Sequence, residues 1–233
     1  MKVAIIPARG GSKRIPKKNI KNFCGKPIIG WTIDVLKKSK IFNKIIVSTE
    51  DKRIASIAKK YDAEVPFLRP ARLTNDKIAT SAVVVHAITW LQKKGYKPTE
   101  ICCIYPTAPL LQTKDLKNSL KDLMSGRWLY VFSATTFESS IFRSFKKNKK
   151  KQLKTIFPKK INNRSQDLEQ TYRDAGQFYW GKTRTWLSKK KIFGKDSKIA
   201  LLPRWRVQDI DTMDDWKKAE IIFRLLKKKR NIF

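Results

Sequence analysis

Short apolar runs alternate with amphipathic helical stretches along most of this chain, and this alternation constrains its fold more than any other feature. KVAII at Lys2–Ile6 reads as a buried strand, and PIIGWTIDVLKKS at Pro27–Ser39 carries helical spacing. The pair repeats as the strand KIIVST and the helix EDKRIASIAKKYD. A helix, TSAVVVHAITWLQKK, then leads into the strand TEICCIYPT, and KDLKNSLKDLMSG precedes WLYVFSAT. Such a pattern predicts an α/β fold: a doubly wound, mainly parallel sheet with helices on both faces. Ligands of such sheets bind beyond the carboxyl ends of the strands, which is where AIIPARGGSKR falls.

The alternation stops after Ala134. Residues 135–173 are lysine-rich, match neither strand nor long helix, and are read as an insertion used in oligomerisation within one domain spanning 1–233. Beyond it, AGQFYWG and KIALLP are predicted strands, and DTMDDWKKAEIIFRLLKKKR a closing helix. Thr212 and Asp215 fit the reciprocal cap of that helix.

Charge brings nucleic acid into question. Lysine and arginine number 53 against 19 acids, a net charge of +34. Such a balance suits nucleic acid or an anionic membrane surface. The alternative is a solvated lysine coat over an enzyme, and it is preferred. The lysines recur throughout, and no aromatic–basic RNA motif, zinc-finger spacing or basic zipper is present. No specific nucleic-acid partner is therefore expected. No run of about 18 apolar residues suggests a membrane span. Three cysteines, two adjacent, and one histidine make neither a disulfide framework nor a zinc site. A reducing, cytoplasmic setting is expected. Cys102 and Cys103 read as buried thiols, and His86 as a packed or surface histidine on an apolar helix.

Three places carry chemistry. The loop IIPARGGSKRIPKKN lacks the spacing of both common phosphate motifs. It nevertheless sets Gly10, Gly11, Ser12 and Lys13 after a strand, with Arg9 before and Lys18 and Asn19 behind. Glycines admit backbone amides to an anion and the bases add charge, which suits a polyphosphate; a solvated basic loop is the other reading. Asp209 and Asp211, two apart on an extended segment, present carboxylates to one side. They either take Mg²⁺ together with phosphate oxygens, or Asp211 caps the next helix while Asp209 is solvated. Arg164 and Gln166, followed by Tyr172, Arg173, Asp174, Gly176 and Gln177, form polar clusters that either grip a carboxylated small molecule or make ordinary surface loops, and Tyr179 beyond them reads as core or as pocket lining. RPARLTND, with Arg69 and Asp76, reads as an ordered turn after a strand, either structural or nucleotide-facing.

Taken together, these residues resemble the family of CMP-sialic acid synthetases, the cytidylyltransferases that activate nine-carbon acidic sugars. The resemblance spans nearly the whole chain in order: IIPARGGSKRIPKKN, RPARLTND, YPTAPLL and QDIDT. NNRSQDLEQTYRDAGQFYWG brings it nearest to members that act on pseudaminic acid. Those acting on N-acetylneuraminate typically have glutamine in place of Tyr105 and asparagine-glycine in place of Ala175-Gly176.

The resemblance implies a Rossmann-like nucleotidyltransferase fold, and a reaction in which CTP and a nonulosonic acid give a CMP-sugar and pyrophosphate. It assigns CTP to Arg9, Gly10, Gly11, Ser12, Lys13, Asn19, Arg69, Asp76, Thr80 and Ser81. Lys18, Asp209 and Asp211 become catalytic, the two aspartates as Mg²⁺ ligands. The sugar falls to Tyr105, Arg164, Gln166, Arg173, Gly176, Gln177 and Tyr179. Arg14 and Lys17 are left to the lysine coat. A homodimer built on the insertion is also implied.

Overall fold

The structure is a computed structural model that describes residues 1–75, 78–188 and 190–230, without the side chains of Lys229 and Arg230. In chain order it has β1 (Lys2–Pro7), a tight hairpin of β2 (Asn22–Phe23) and β3 (Lys26–Pro27), then α1 (Ile28–Ser39), β4 (Lys44–Ser48) and α2 (Lys52–Lys60). Next come α3 (Thr80–Lys93), β5 (Glu100–Ile104), α4 (Thr113–Met124) and β6 (Tyr130–Thr136). A second hairpin, β7 (Phe145–Lys147) and β8 (Leu153–Thr155), precedes β9 (Tyr172–Lys182), α5 (Thr183–Leu187), β10 (Ser197–Leu201) and α6 (Met213–Arg230).

The six-stranded sheet has the order β10-β6-β9-β5-β1-β4. β1 runs parallel to β4 and β5, and β6 runs parallel to β10. Successive side chains of a strand face opposite ways, so Ala4 and Ile6 meet one helical layer and Val3 and Ile5 the other. The first layer holds Ile29, Ile33, Leu36, Ala58, Leu116 and Leu120; the second is chiefly Val84, Ala87, Ile88 and Leu91 of α3. Cys102 and Cys103 point to opposite layers, both fully buried, and burial raises both thiol pKa values.

Strand β9 departs from the parallel pattern by running antiparallel to both β5 and β6. The excursion between β6 and β9 leaves and returns at one end of the sheet, where Thr136 pairs with Tyr172, so β9 must run back down. That excursion contains the β7–β8 hairpin, a short element the sequence pattern did not reveal. It leaves Phe145, Leu153 and Ile156 exposed.

After β10 the chain crosses to α4, where Arg206 is buried. Its Nη1 and Nη2 donate to the two Asp115 carboxylate oxygens at 2.6 and 2.9 Å, and Nη1 also reaches Leu110 O. Asp115 in turn accepts from Gln112 N at the start of α4. Thr212 and Asp215 exchange the reciprocal bonds expected of them, and α6 packs Trp216 and Phe223 against Phe23.

Removing one partner of a buried ion pair leaves the other charge uncompensated. Asp115→Ala is therefore expected to cost about 3–5 kcal/mol in urea unfolding. An Asp115→Ala variant as stable as the parent would refute this anchoring role.

Candidate active site

The strand order reverses between β1 and β5, since the chain leaves β1 toward β4 on one side and reaches β5 on the other. Such a switch point opens a crevice at the carboxyl ends of the strands. A cavity of about 390 Å³ lies there. Arg9, Ser12, Lys13, Arg14 and Lys18 line it from the loop after β1, with Arg69 and Asn75 from the loop after α2. Thr80 at the start of α3 and Tyr105 and Thr107 beyond β5 complete the wall.

Side chains of the protein itself hold the first loop. Asn19 is buried and donates to Arg9 O at 2.8 Å, closing the loop on itself. Gly10 N–H is committed to Glu50 Oε1 at 2.7 Å, so it is not a free donor for a phosphate, contrary to the cradle expected of it. Glycine is required there for another reason: a Cβ would lie 2.7 Å from Asp51 Oδ2. At Gly11 a Cβ would meet open space. Lys17 adopts a left-handed φ of 52° in the turn just before Lys18.

Lys18 Nζ donates to Ile210 O at 2.5 Å and lies 3.5 Å from Asp211 Oδ1. Arg14 Nη2 meets the same Asp211 oxygen at 2.8 Å. The carboxylate of Asp211 therefore faces the cationic loop, and the helix cap falls to Thr212 and Asp215, so Asp211 is not the capping residue. Arg14, assigned above to the coat, belongs to this junction. Asp209 keeps accessible surface, yet the protein around its carboxylate raises its pKa by desolvation. The Asp211 charge adds to the rise, while Lys18 and Arg173 oppose it.

Arg69 is buried beneath the cavity, donating from Nε to Ser48 Oγ at 3.2 Å and from Nη2 to Ser48 O. Its role as a brace of the β4 end was not evident from sequence. Glu50, which holds Gly10 and lies 3.9 Å from Arg69, was also missed. An acid directly after a strand, in a chain with so few acids, is a signal that could have found it. Ser81 does not join Thr80: it faces a separate cavity of about 780 Å³ with Val85, His86, Trp186 and Phe193. The structure thus separates it from the expected nucleotide residues, because adjacent helical positions point about 100° apart. Asp76 lies outside the described residues.

The polar cluster divides. Tyr105 OH lies 3.4 Å from Thr80 Oγ1, its ring is 5.6 Å from that of Tyr179, and its backbone N–H donates to Gln177 O. Gly176 takes a φ of +60°, which favours glycine, and a Cβ there would lie 4.0 Å from the Tyr105 ring. Gln177 is buried with Oε1 unpartnered among the described residues. Arg173 stands near Asp209 instead, in a cleft with Arg204 and Gln208. Arg164 is exposed and 3.7 Å from Asp167, and Gln166 is exposed on the same excursion, so neither reaches the cavity of its own chain.

Residues 3–224 match the sequence profile of a family described as cytidylyltransferase. A pseudaminic acid cytidylyltransferase of Campylobacter jejuni (strain 81-176) is 42% identical over 96% of both chains. A Helicobacter pylori protein, named as the same cytidylyltransferase joined to a hydrolase, is 36% identical over 89% of this chain and 40% of its own length. A solved CMP:2-keto-3-deoxy-manno-octonic acid synthetase complexed with CTP superposes with a TM-score of 0.70, covering 96% of this chain and 98% of that one at 14% identity. The last likeness concerns the fold.

Asp209 binds its proton more tightly in the folded than in the unfolded chain. Its ionised form therefore weakens the fold as pH rises through and above the ordinary carboxylate range. In metal-free buffer, Asp209→Asn is expected to raise Tm at neutral pH by up to about 2 °C, solvent screening keeping the gain small. That gain should vanish in acid, where both forms are neutral; a melting series across pH checks it.

Proposed function

The chain belongs to the cytidylyltransferase family, and from that premise we propose that it transfers the cytidylyl group of CTP to pseudaminic acid, giving CMP-pseudaminic acid and pyrophosphate. One observation carries the assignment of the site: the basic loop at the switch point is clasped to the acidic QDIDT segment through Lys18 and Arg14. A carboxylate suited to a divalent ion, that of Asp211, thus lies against two cations that line the cavity.

In this reading Arg9, Ser12, Lys13 and Asn75 face the nucleotide from the cavity wall. The anomeric hydroxyl of the sugar attacks the α-phosphorus in line, and the bond to the bridging oxygen breaks as pyrophosphate leaves. The hydroxyl proton is released to solvent. Lys18, held by Ile210 O, offsets charge on the transferring phosphoryl group. Tyr105 faces the sugar from the cavity wall, with Gln177 and Tyr179 packed against it.

Asp209 and Asp211 suit Mg²⁺ by their chemistry. They are hard oxygen donors, and the Asp211 charge helps raise the Asp209 pKa, a repulsion a cation relieves. Bound there beside the phosphates, Mg²⁺ would offset charge on the leaving pyrophosphate.

We assign the whole chain to one catalytic domain, with 135–173 as its dimerisation insertion. The exposed Phe145, Leu153 and Ile156 support this, as does the failure of Arg164 and Gln166 to reach their own cavity. In a homodimer those two residues would meet the partner's sugar pocket. Free Cys24, Cys102 and Cys103 suit a reducing cytoplasm, and no helix among the described residues is long and apolar enough to cross a membrane.

Purified protein given CTP, Mg²⁺ and a panel of nonulosonic acids is expected to release pyrophosphate fastest with pseudaminic acid, and to stop on chelation. Lys18→Ala should lower kcat about 100-fold or more with Tm retained. Release from a legionaminic or sialic acid alone would overturn the sugar assignment. Light scattering is expected to show a dimer that Leu153→Asp converts to monomer.

A further inference from the structure

One carboxylate oxygen beside the cavity serves two bases. Asp211 Oδ1 accepts from Arg14 Nη2 at 2.8 Å and lies 3.5 Å from Lys18 Nζ. Both bases also line the cavity read above as the place of the triphosphate. They differ in how they are held. Lys18 has a second bond, to Ile210 O, and its side chain is 21% exposed. Arg14 stands in the irregular loop after β1 with its side chain 69% exposed, so it can leave Asp211 at little cost.

The other acids nearby leave few oxygens for a metal ion. Asp215 is taken up by the start of α6: its Oδ2 accepts from Asp211 N, Thr212 N and Thr212 Oγ1, and its Oδ1 from Gln208 Nε2. Among the described residues no group of three histidine, cysteine or acidic side chains is placed to hold a metal. Asp209 and Asp211 are thus the carboxylates at hand, and Mg²⁺ held by two carboxylates completes its shell with water and phosphate oxygens. A divalent ion on Asp211 shares that carboxylate with the charge of Arg14, and like charges repel. Arg14 therefore opposes the metal for as long as it stays on Asp211. A triphosphate in the cavity reverses the balance, because it presents an exposed arginine with several oxygens and a larger negative charge.

We propose that Arg14 makes metal binding conditional on nucleotide: it competes with the divalent cation for Asp211, and the triphosphate draws it off, so that Asp211 is released to the metal once the nucleotide is in the cavity. Arg14 is a positioning residue acting through Asp211, a role that rests on the reading of Asp209 and Asp211 as Mg²⁺ ligands. It orders two binding events that the functional reading leaves unordered.

Arg14→Gln tests this through two affinities that should move in opposite directions. Mn²⁺ is titrated into the full chain without nucleotide, the free ion being read by electron paramagnetic resonance, and CTP is titrated calorimetrically in EDTA. At physiological ionic strength Arg14→Gln is expected to bind Mn²⁺ about threefold or more tighter, and CTP about threefold or more weaker. Lys17→Gln removes the same charge from the same exposed loop and should leave both affinities within about twofold. Adding Asp211→Asn to Arg14→Gln should abolish the gain in Mn²⁺ binding.

An unchanged affinity of Arg14→Gln for either ligand would overturn the proposal. So would weaker binding of both, the mark of a damaged loop, or an equal effect of Lys17→Gln, the mark of bulk charge. A gain that survives Asp211→Asn overturns it as well. Turnover indifferent to chelation overturns the metal reading and this assignment with it. Turnover that stops on chelation, beside unchanged affinities in Arg14→Gln, overturns this assignment alone.

Discussion

The guanidinium of Arg206 meets the Asp115 carboxylate edge to edge in a place water does not reach, and much of the site hangs from that contact. Asp115 also closes the first turn of α4, so the bond ties the exit of β10 to a helix packed under the sheet. Five residues later the same segment delivers Asp211 to Arg14 and Lys18. Buried pairs of this kind gain little net stability over apolar packing, but breaking one is costly, which makes them good at fixing position. Here the position fixed is that of Asp211, about 190 residues from the basic loop it faces.

The Tyr105 side is set by the excursion after β6. Because it starts and ends at one end of the sheet, β9 is inserted antiparallel between β5 and β6. Three of its aromatic residues are buried, Phe178 and Trp180 toward one helical layer and Tyr179 toward the other. A bulge opposite Ser133 then releases Gly176 and Gln177 from the regular ladder beside Tyr105. One strand therefore contributes to the core and packs against Tyr105 in the wall of the cavity.

The net charge of +34 is spread widely, yet the bases that matter are distinguished by their partners. Lys18 and Arg14 hold Asp211, Arg69 braces Ser48 and Glu50, and Arg206 holds Asp115. The acids are scarce, and several sit where a base needs an anchor. In a lysine-rich chain the carboxylates are the better guide to fixed geometry.

Periodicity and punctuation by themselves determined the alternating strands and helices, the cap at Thr212 and Asp215, and a loop of bases beyond the first strand; the break expected after Ala134 comes two residues later, since Thr135 and Thr136 complete β6 and Tyr172 and Arg173 already belong to β9. These are local properties: residue spacing decides which face is apolar, and caps act within a few residues. The fold decided everything that depends on distant pairing. It committed the Gly10 amide to Glu50, turned Ser81 away from Thr80, moved Arg14 from the coat to the junction, and left Arg164 outside its own cavity. It also reversed β9 and joined Asp174 to Tyr179 through a bulge. A sequence shows which groups can donate, accept or carry charge, but only closure of the sheet brings them within the few ångströms over which they act.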